Sequence, residues 1–128
     1  MDLAPQELKY KIMSVDFDGC IVKDEWPRIG ELIPGAKETI QKFAELGGKI
    51  ILNTCRDKGL LCEAIGFLKK EGIPFHSINE NLPERIKEYS GNDCRKISAD
   101  IYIDDKDYYS LKNGGVDWNL VAEILGVR

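Results

Sequence analysis

The sequence predicts a Rossmann-like, three-layer α/β sandwich around a mainly parallel, four-stranded sheet. Three observations carry this. Apolar runs of strand length alternate with segments whose apolar residues recur at helical spacing. Glycines close several of the helical segments. Acidic and other polar residues come directly after the strands, at the edge where open α/β sheets gather their functional groups.

Lys9 to Phe17 holds Tyr10, Ile12, Met13, Val15 and Phe17 and runs into Asp-Gly, a short buried strand entering a turn. Residues 20 to 34 are mixed, with Trp26, two prolines and Gly30, and read as a loop. Ala36 to Leu46 places Ile40, Phe43, Ala44 and Leu46 at helical spacing before Gly47-Gly48. Lys49 to Thr54 is the second strand, and Lys58 to Glu71 the second helix, stopped by Gly72. Ile73 to Ile78 is the third strand. Leu82 to Tyr89 is helical, with Pro83 tolerated in its first turn. Ile101 to Ile103 is the fourth strand, ending in two aspartates, and Val116 to Leu125 is the terminal helix. The expected sheet order is 3-2-1-4.

Residues 1–128 have the size of one domain, and 43% hydrophobic with 31% charged residues fits a soluble globular chain. The net charge of −4, with Lys and Arg dispersed, argues against nucleic acid or an anionic membrane as partner. No apolar run approaches the ~20 residues a membrane span needs. Met1 to Leu8 lacks the basic and apolar regions of a secretory signal. Cys20, Cys55, Cys62 and Cys94 form no C-x-x-C pair, so no zinc site is expected; they read as reduced thiols of a cytoplasmic protein. Cys20 and Cys55 fall close to the candidate site. His76, the only histidine, reads as structural.

Asp16 and Asp18 come after the first strand, Asn53, Thr54 and Arg56 after the second, and Asp104 and Asp105 after the fourth. Two carboxylates two residues apart repel unless a cation joins them. Mg²⁺ suits such a site because it takes oxygen ligands, water and substrate phosphate. Asp104 is the natural third protein ligand, with Asp105 supporting it directly or through water. Asp100 lies at the other end of the fourth strand, ~13 Å from Asp104 at ~3.3 Å per residue, and is excluded.

Asp16-Phe17-Asp18-Gly19, Leu52-Asn53-Thr54 and Tyr102-Ile103-Asp104-Asp105 resemble three of the four signature motifs of the haloacid dehalogenase-like (HAD) phosphohydrolases, in the family's order. The resemblance spans nearly the whole chain. It implies a HAD-like fold and a Mg²⁺-dependent phosphatase acting on a phosphate monoester. Asp16 would attack phosphorus and form an aspartyl-phosphate. Asp18 would protonate the leaving oxygen and then activate water. Thr54 would donate its hydroxyl to a phosphoryl oxygen. Mg²⁺ would be held by the Asp16 side chain, the Asp18 carbonyl and Asp104. Asp18 argues against dehalogenation, which needs no proton donor to an alkoxide.

The fourth motif is a lysine that contacts nucleophile and phosphate. Asn81-Leu82-Pro83 occupies its usual helix-start position. Lys96 takes the role instead, since Lys96-Ile97-Ser98-Ala99-Asp100 resembles the equivalent region of deoxynucleotide 5′-phosphatases of the same superfamily; the chain must fold back for it to reach. Lys87 and Lys106 are fallbacks. Arg56, with Asn53, would bind substrate beside Thr54.

Fifteen residues separate Asp18 from Pro34 and 49 separate Thr54 from Asp104, too few for the family's cap domains. The enzyme is therefore expected to be capless, with Lys23 to Ile33, carrying Trp26 and Arg28, as its flap, and Asn79-Glu80-Asn81 as a second edge for substrate selection. The expected partner is a phosphorylated substrate, with nucleotide and sugar phosphates and a phosphorylated macromolecule all open, and an open site is compatible with a homo-oligomer. The alternatives are a phosphotransferase sharing the intermediate and a non-catalytic phosphate-binding module. A receiver-type phospho-acceptor is disfavoured because Ser77-Ile78-Asn79, at the end of the third strand, offers no aspartate.

Overall fold

The computed structural model describes residues 7–127. Most of the segment from Met1 to Leu8, read above as free of a secretory signal, lies outside them. In chain order the elements are β1 (Ile12–Val15), β2 (Val22–Glu25), β3 (Arg28–Leu32), α1 (Ala36–Glu45), β4 (Lys49–Leu52), α2 (Lys58–Glu71), β5 (Ser77–Ile78), α3 (Pro83–Glu88), β6 (Ile101–Ile103), α4 (Tyr108–Asn113) and α5 (Trp118–Leu125).

The main sheet runs β5-β4-β1-β6, and every pairing in it is parallel. This is the 3-2-1-4 order expected of four strands, and the fold is α/β of Rossmann-like kind. β1 is central, and all four of its residues are buried, as a strand covered on both faces requires. One face carries the larger core: Met13, Val15, Ile50 and Leu52 pack with Ile40 and Phe43 of α1, Ala64 and Leu68 of α2, and Val121 and Leu125 of α5. The other face is thinner, with Ile12 and Ile51 against Leu82, Ile97 and Ala99. These make the three layers.

Local chemistry sets the helix ends. Asp107 accepts the Ser110 N–H at the start of α4, and Asp117 the Leu120 N–H at the start of α5. Gly72, Gly114 and Gly126, all left-handed, end α2, α4 and α5.

Two elements depart from the sequence reading. Residues 20 to 34 are not a loop: β2 and β3 pair antiparallel across Trp26-Pro27. The hairpin is largely exposed, so its residues never had to alternate cleanly between apolar and polar. α4 was likewise unforeseen, because only Ser110 of its six residues is buried and no apolar period develops. The third strand is shorter than Ile73 to Ile78. Pro74 has no N–H for the ladder, and pairing is confined to Ser77–Ile78. His76 serves this edge: its Nδ1 accepts the Ile50 N–H at 2.9 Å. Among the described residues, no helix is long and apolar enough to cross a membrane.

Candidate functional site

The carboxyl ends of β1, β4 and β6 lie side by side, so the residues just beyond them meet. Asp16 extends the β1 ladder by donating its N–H to the Ile103 carbonyl at 3.1 Å. Its Oδ1 accepts the Phe17 N–H at 2.8 Å. The chain then closes tightly: the Phe17 carbonyl accepts from the N–H groups of Cys20, Ile21 and Val22. Gly19 makes this turn at φ +85°, and a Cβ there would collide with the Asp105 carboxylate. The Asp-x-Asp-Gly glycine thus admits the Asp105 carboxylate beside the turn that follows β1.

Ligand atoms of Asp16, Cys20 and Asp105 lie within 4.8 Å of one another. Burial, the largest cause, pushes the Asp16 carboxyl up to about 7 from an ordinary 3.8; the Phe17 N–H opposes this, while the charges of Asp104 and Asp105 and a hydrogen bond shared with Asp105 add to it. Burial, then the same carboxylates, holds the Cys20 thiol far above its ordinary value. Its Sγ faces the Ile103 carbonyl at 3.8 Å. The carboxylate oxygens of Asp16 and Asp105 are hard donors of the kind Mg²⁺ takes. Asp105 is the member of the pair gathered with Asp16 and Cys20. Asp104 turns its Oδ1 to the Lys106 N–H at 2.7 Å and acts on Asp16 through its charge.

Asp18 stands in a bidentate pair with Arg56: Nε donates to Oδ2 and Nη2 to Oδ1, each at 2.8 Å. The Arg56 side chain is 0% exposed, so it turns inward to Asp18 rather than out to solvent as a free cation beside Thr54. Thr54 is buried, and its Oγ1 accepts the Arg56 N–H at 3.1 Å, which leaves the hydroxyl proton to donate. Its peptide is gripped on both sides by one side chain: Asn79 Oδ1 accepts the Thr54 N–H at 2.8 Å and Asn79 Nδ2 donates to the Thr54 carbonyl at 2.9 Å. The sequence reading placed Asn79 at a substrate edge and missed this clamp. Its signal was an Asn directly after a strand, here at φ +53°. Asn53 is exposed beside it, its N–H bound to the Val15 carbonyl.

The chain does fold back before β6. Buried Asn81 donates to the carbonyls of Cys94 and Lys96 and accepts the Ser98 N–H, drawing 94–98 toward the start of α3. The Lys96 ammonium nevertheless stands 5.6 Å from the Tyr102 ring centre. Among the described residues, no hydrogen bond or ion pair joins it to Asp16, Asp18 or Thr54. Asp100 is at the far end of β6, as its spacing required. Burial alone would raise its carboxyl, but the Lys11 N–H, Arg85 and the Ile12 N–H hold it below the usual value. Cys20 is buried, Cys55, Cys62 and Cys94 are exposed, and all four are free.

Neither the protein-family models nor the curated proteins contain a match to this chain. A solved structure is similar: that of a conserved protein from Bacteroides thetaiotaomicron, with 38% identity over 90% of this chain and 88% of that one, at a TM-score of 0.74. Identity at this level over nearly the full length of both chains, with the same fold, means that the chain belongs to the family of that conserved Bacteroides protein.

Proposed function

We propose that this protein is a capless, HAD-like, Mg²⁺-dependent phosphatase that hydrolyses a phosphate monoester through an aspartyl-phosphate on Asp16. The observation that carries the reading is the convergence of Asp16 and Asp105 within 4.8 Å at the ends of two adjacent strands, with Asp18 two residues on. Left to themselves, these carboxylates repel, which is part of why Asp16 is pushed up to about 7.

Asp16 and Asp105 would hold Mg²⁺ by their carboxylates, with the Asp18 carbonyl and Asp104 completing or supporting the set. When bound, Mg²⁺ supplies positive charge that offsets the carboxylates and the phosphoryl oxygens. Asp16 attacks phosphorus as the ester oxygen leaves, and Asp18 passes that oxygen a proton. Asp18 then takes a proton from water as it opens the phospho-aspartate. Thr54, fixed by Asn79, donates its hydroxyl to a phosphoryl oxygen.

A phosphate-release assay over a panel of nucleotide, sugar and aryl phosphates, with and without Mg²⁺, tests this. Turnover that needs both Mg²⁺ and Asp16 is expected. Turnover surviving in Asp16→Asn would overturn the mechanism. The second reading is a phosphate-binding module without turnover, favoured by the position of Lys96 over Tyr102 rather than at Asp16. Mg²⁺-dependent turnover that Asp16→Asn abolishes would eliminate it.

A further inference from the structure

We infer that Arg56 is a positioning residue that couples the β2–β3 hairpin to Asp18, so that the hairpin sets the geometry of proton transfer without touching the reacting atoms. The inference rests on the phosphatase reading for its chemistry and on the contacts of the guanidinium for its mechanics. All three guanidinium nitrogens are engaged: Nε and Nη2 with the two Asp18 oxygens, Nη2 also with the Arg28 carbonyl at 3.1 Å, and Nη1 with the Leu60 carbonyl at 3.4 Å. Phe17 lies 5.3 Å from the guanidinium carbon and Trp26 5.1 Å from it. Two of these contacts, the Arg28 carbonyl and the Trp26 ring, belong to the hairpin, and Trp26 is 52% exposed. A shift of the hairpin at Arg28 or Trp26 would thus be felt by the group that orients Asp18.

Each Asp18 oxygen gives one lone pair to Arg56 and keeps another for the exchanged proton. In the first step the Asp16 oxygen–phosphorus bond forms and the ester oxygen–phosphorus bond breaks, while the Asp18 proton passes to the leaving oxygen. The products are an alcohol, the Asp16 phosphate and the Asp18 carboxylate. A poor leaving group needs that proton, and a good one does not. A residue acting through Asp18 must therefore affect the two kinds of substrate unequally.

The experiment compares an alkyl phosphate with 2,4-dinitrophenyl phosphate in Mg²⁺, using the full chain, Arg56→Met, Arg56→Lys and the surface variant Trp26→Ala. General acid–base catalysis contributes about 10²–10⁴-fold, so Arg56→Met is expected to lower kcat on the alkyl phosphate by about 100-fold or more and on the dinitrophenyl ester by less than about fivefold. Arg56→Lys restores little, because an ammonium cannot form the bidentate pair. Trp26→Ala moves the ratio in the same direction by a smaller factor. Equal losses on both substrates, or an unchanged ratio in Trp26→Ala, would overturn the coupling.

Absence of turnover in the unaltered protein would refute the phosphatase reading instead, and the coupling is then decided by fluorescence. Trp118 is buried, so acrylamide quenching reports on Trp26. Asp18→Asn is expected to raise that quenching by loosening the stack, and quenching equal to that of the unaltered protein would refute the coupling.

Discussion

At the scale of single residues, the site is a set of groups whose ordinary behaviour is altered by their surroundings. Asp16 is the plainest case. Its carboxyl is raised to about 7 in the folded chain from an ordinary 3.8. Between those values the folded state holds a proton that the unfolded state has lost. Stability therefore falls as pH rises through that window, and the loss is complete above about pH 7. Asp16→Asn removes the effect. In the absence of Mg²⁺ the variant is expected to melt above the unaltered protein at pH 8 and level with it near pH 4, as thermal unfolding at the two pH values would show.

Gly19 is constrained in a different way. Its φ of +85° and the Asp105 carboxylate in the place of a Cβ both exclude a side chain. Gly19→Ala should displace Asp105 and, on the proposed function, weaken Mg²⁺ binding by tenfold or more, about 1.4 kcal/mol, measurable by calorimetric titration. The residue types at these positions were legible in sequence because strand ends announce them. The approach of the Asp105 carboxylate to Gly19 was not, since it depends on how the chain turns after Ile103.

At the scale of elements, short strands do the positioning and specific side chains lock the turns beyond them. β5 has two residues, yet Asn79 at its end fastens the Thr54 peptide on both sides. Loss of both bonds in Asn79→Ala should cost about 1–3 kcal/mol of stability, the range for a net hydrogen bond plus an unsatisfied group, readable by denaturant unfolding. On the proposed function it should also lower kcat more than KM changes, because Thr54 would donate to the transferring phosphoryl oxygen.

The segment before β6 makes the opposite case. Asn81 draws its backbone toward α3, while the Lys96 side chain goes to Tyr102. On the proposed function, Lys96→Met is accordingly expected to leave Mg²⁺-dependent turnover nearly unchanged, where Asp18→Asn should cost about 100-fold or more; steady-state rates of the two variants decide this. The hairpin escaped sequence reading for a physical reason. Strand periodicity appears only where one face is buried, and β2–β3 is a two-stranded ribbon with most of its residues exposed.

At the scale of the whole molecule, three strand ends and one hairpin converge on a single edge. The larger core of α1, α2 and α5 holds the sheet behind them. Mg²⁺ binding, on the proposed function, couples this edge to global stability, because a ligand that binds only the folded state raises its melting temperature. The rise should be larger at pH 8 than at pH 5, since Asp16 must lose its proton to bind, and Asp16→Asn should remove most of it. Differential scanning fluorimetry with Mg²⁺ at the two pH values measures both.

The sequence by itself determined the four strands of the parallel sheet in their 3-2-1-4 order, the helices α1, α2, α3 and α5, and the edge at which Asp16, Asp18, Thr54, Asp104 and Asp105 collect, but not the hairpin or α4. Local periodicity marks these strands and helices, and parallel strands joined by helices bring their carboxyl ends to one edge of the sheet. Only the tertiary structure decided that Arg56 turns inward to Asp18 beneath Trp26, that Asn79 grips Thr54 and that Asp105 reaches Asp16 across Gly19. Those pairings join residues far apart in the chain, from 25 positions between Thr54 and Asn79, through 38 between Asp18 and Arg56, to 89 between Asp16 and Asp105. No local pattern encodes them: they form because packing brings buried polar groups together, and each must then find a partner.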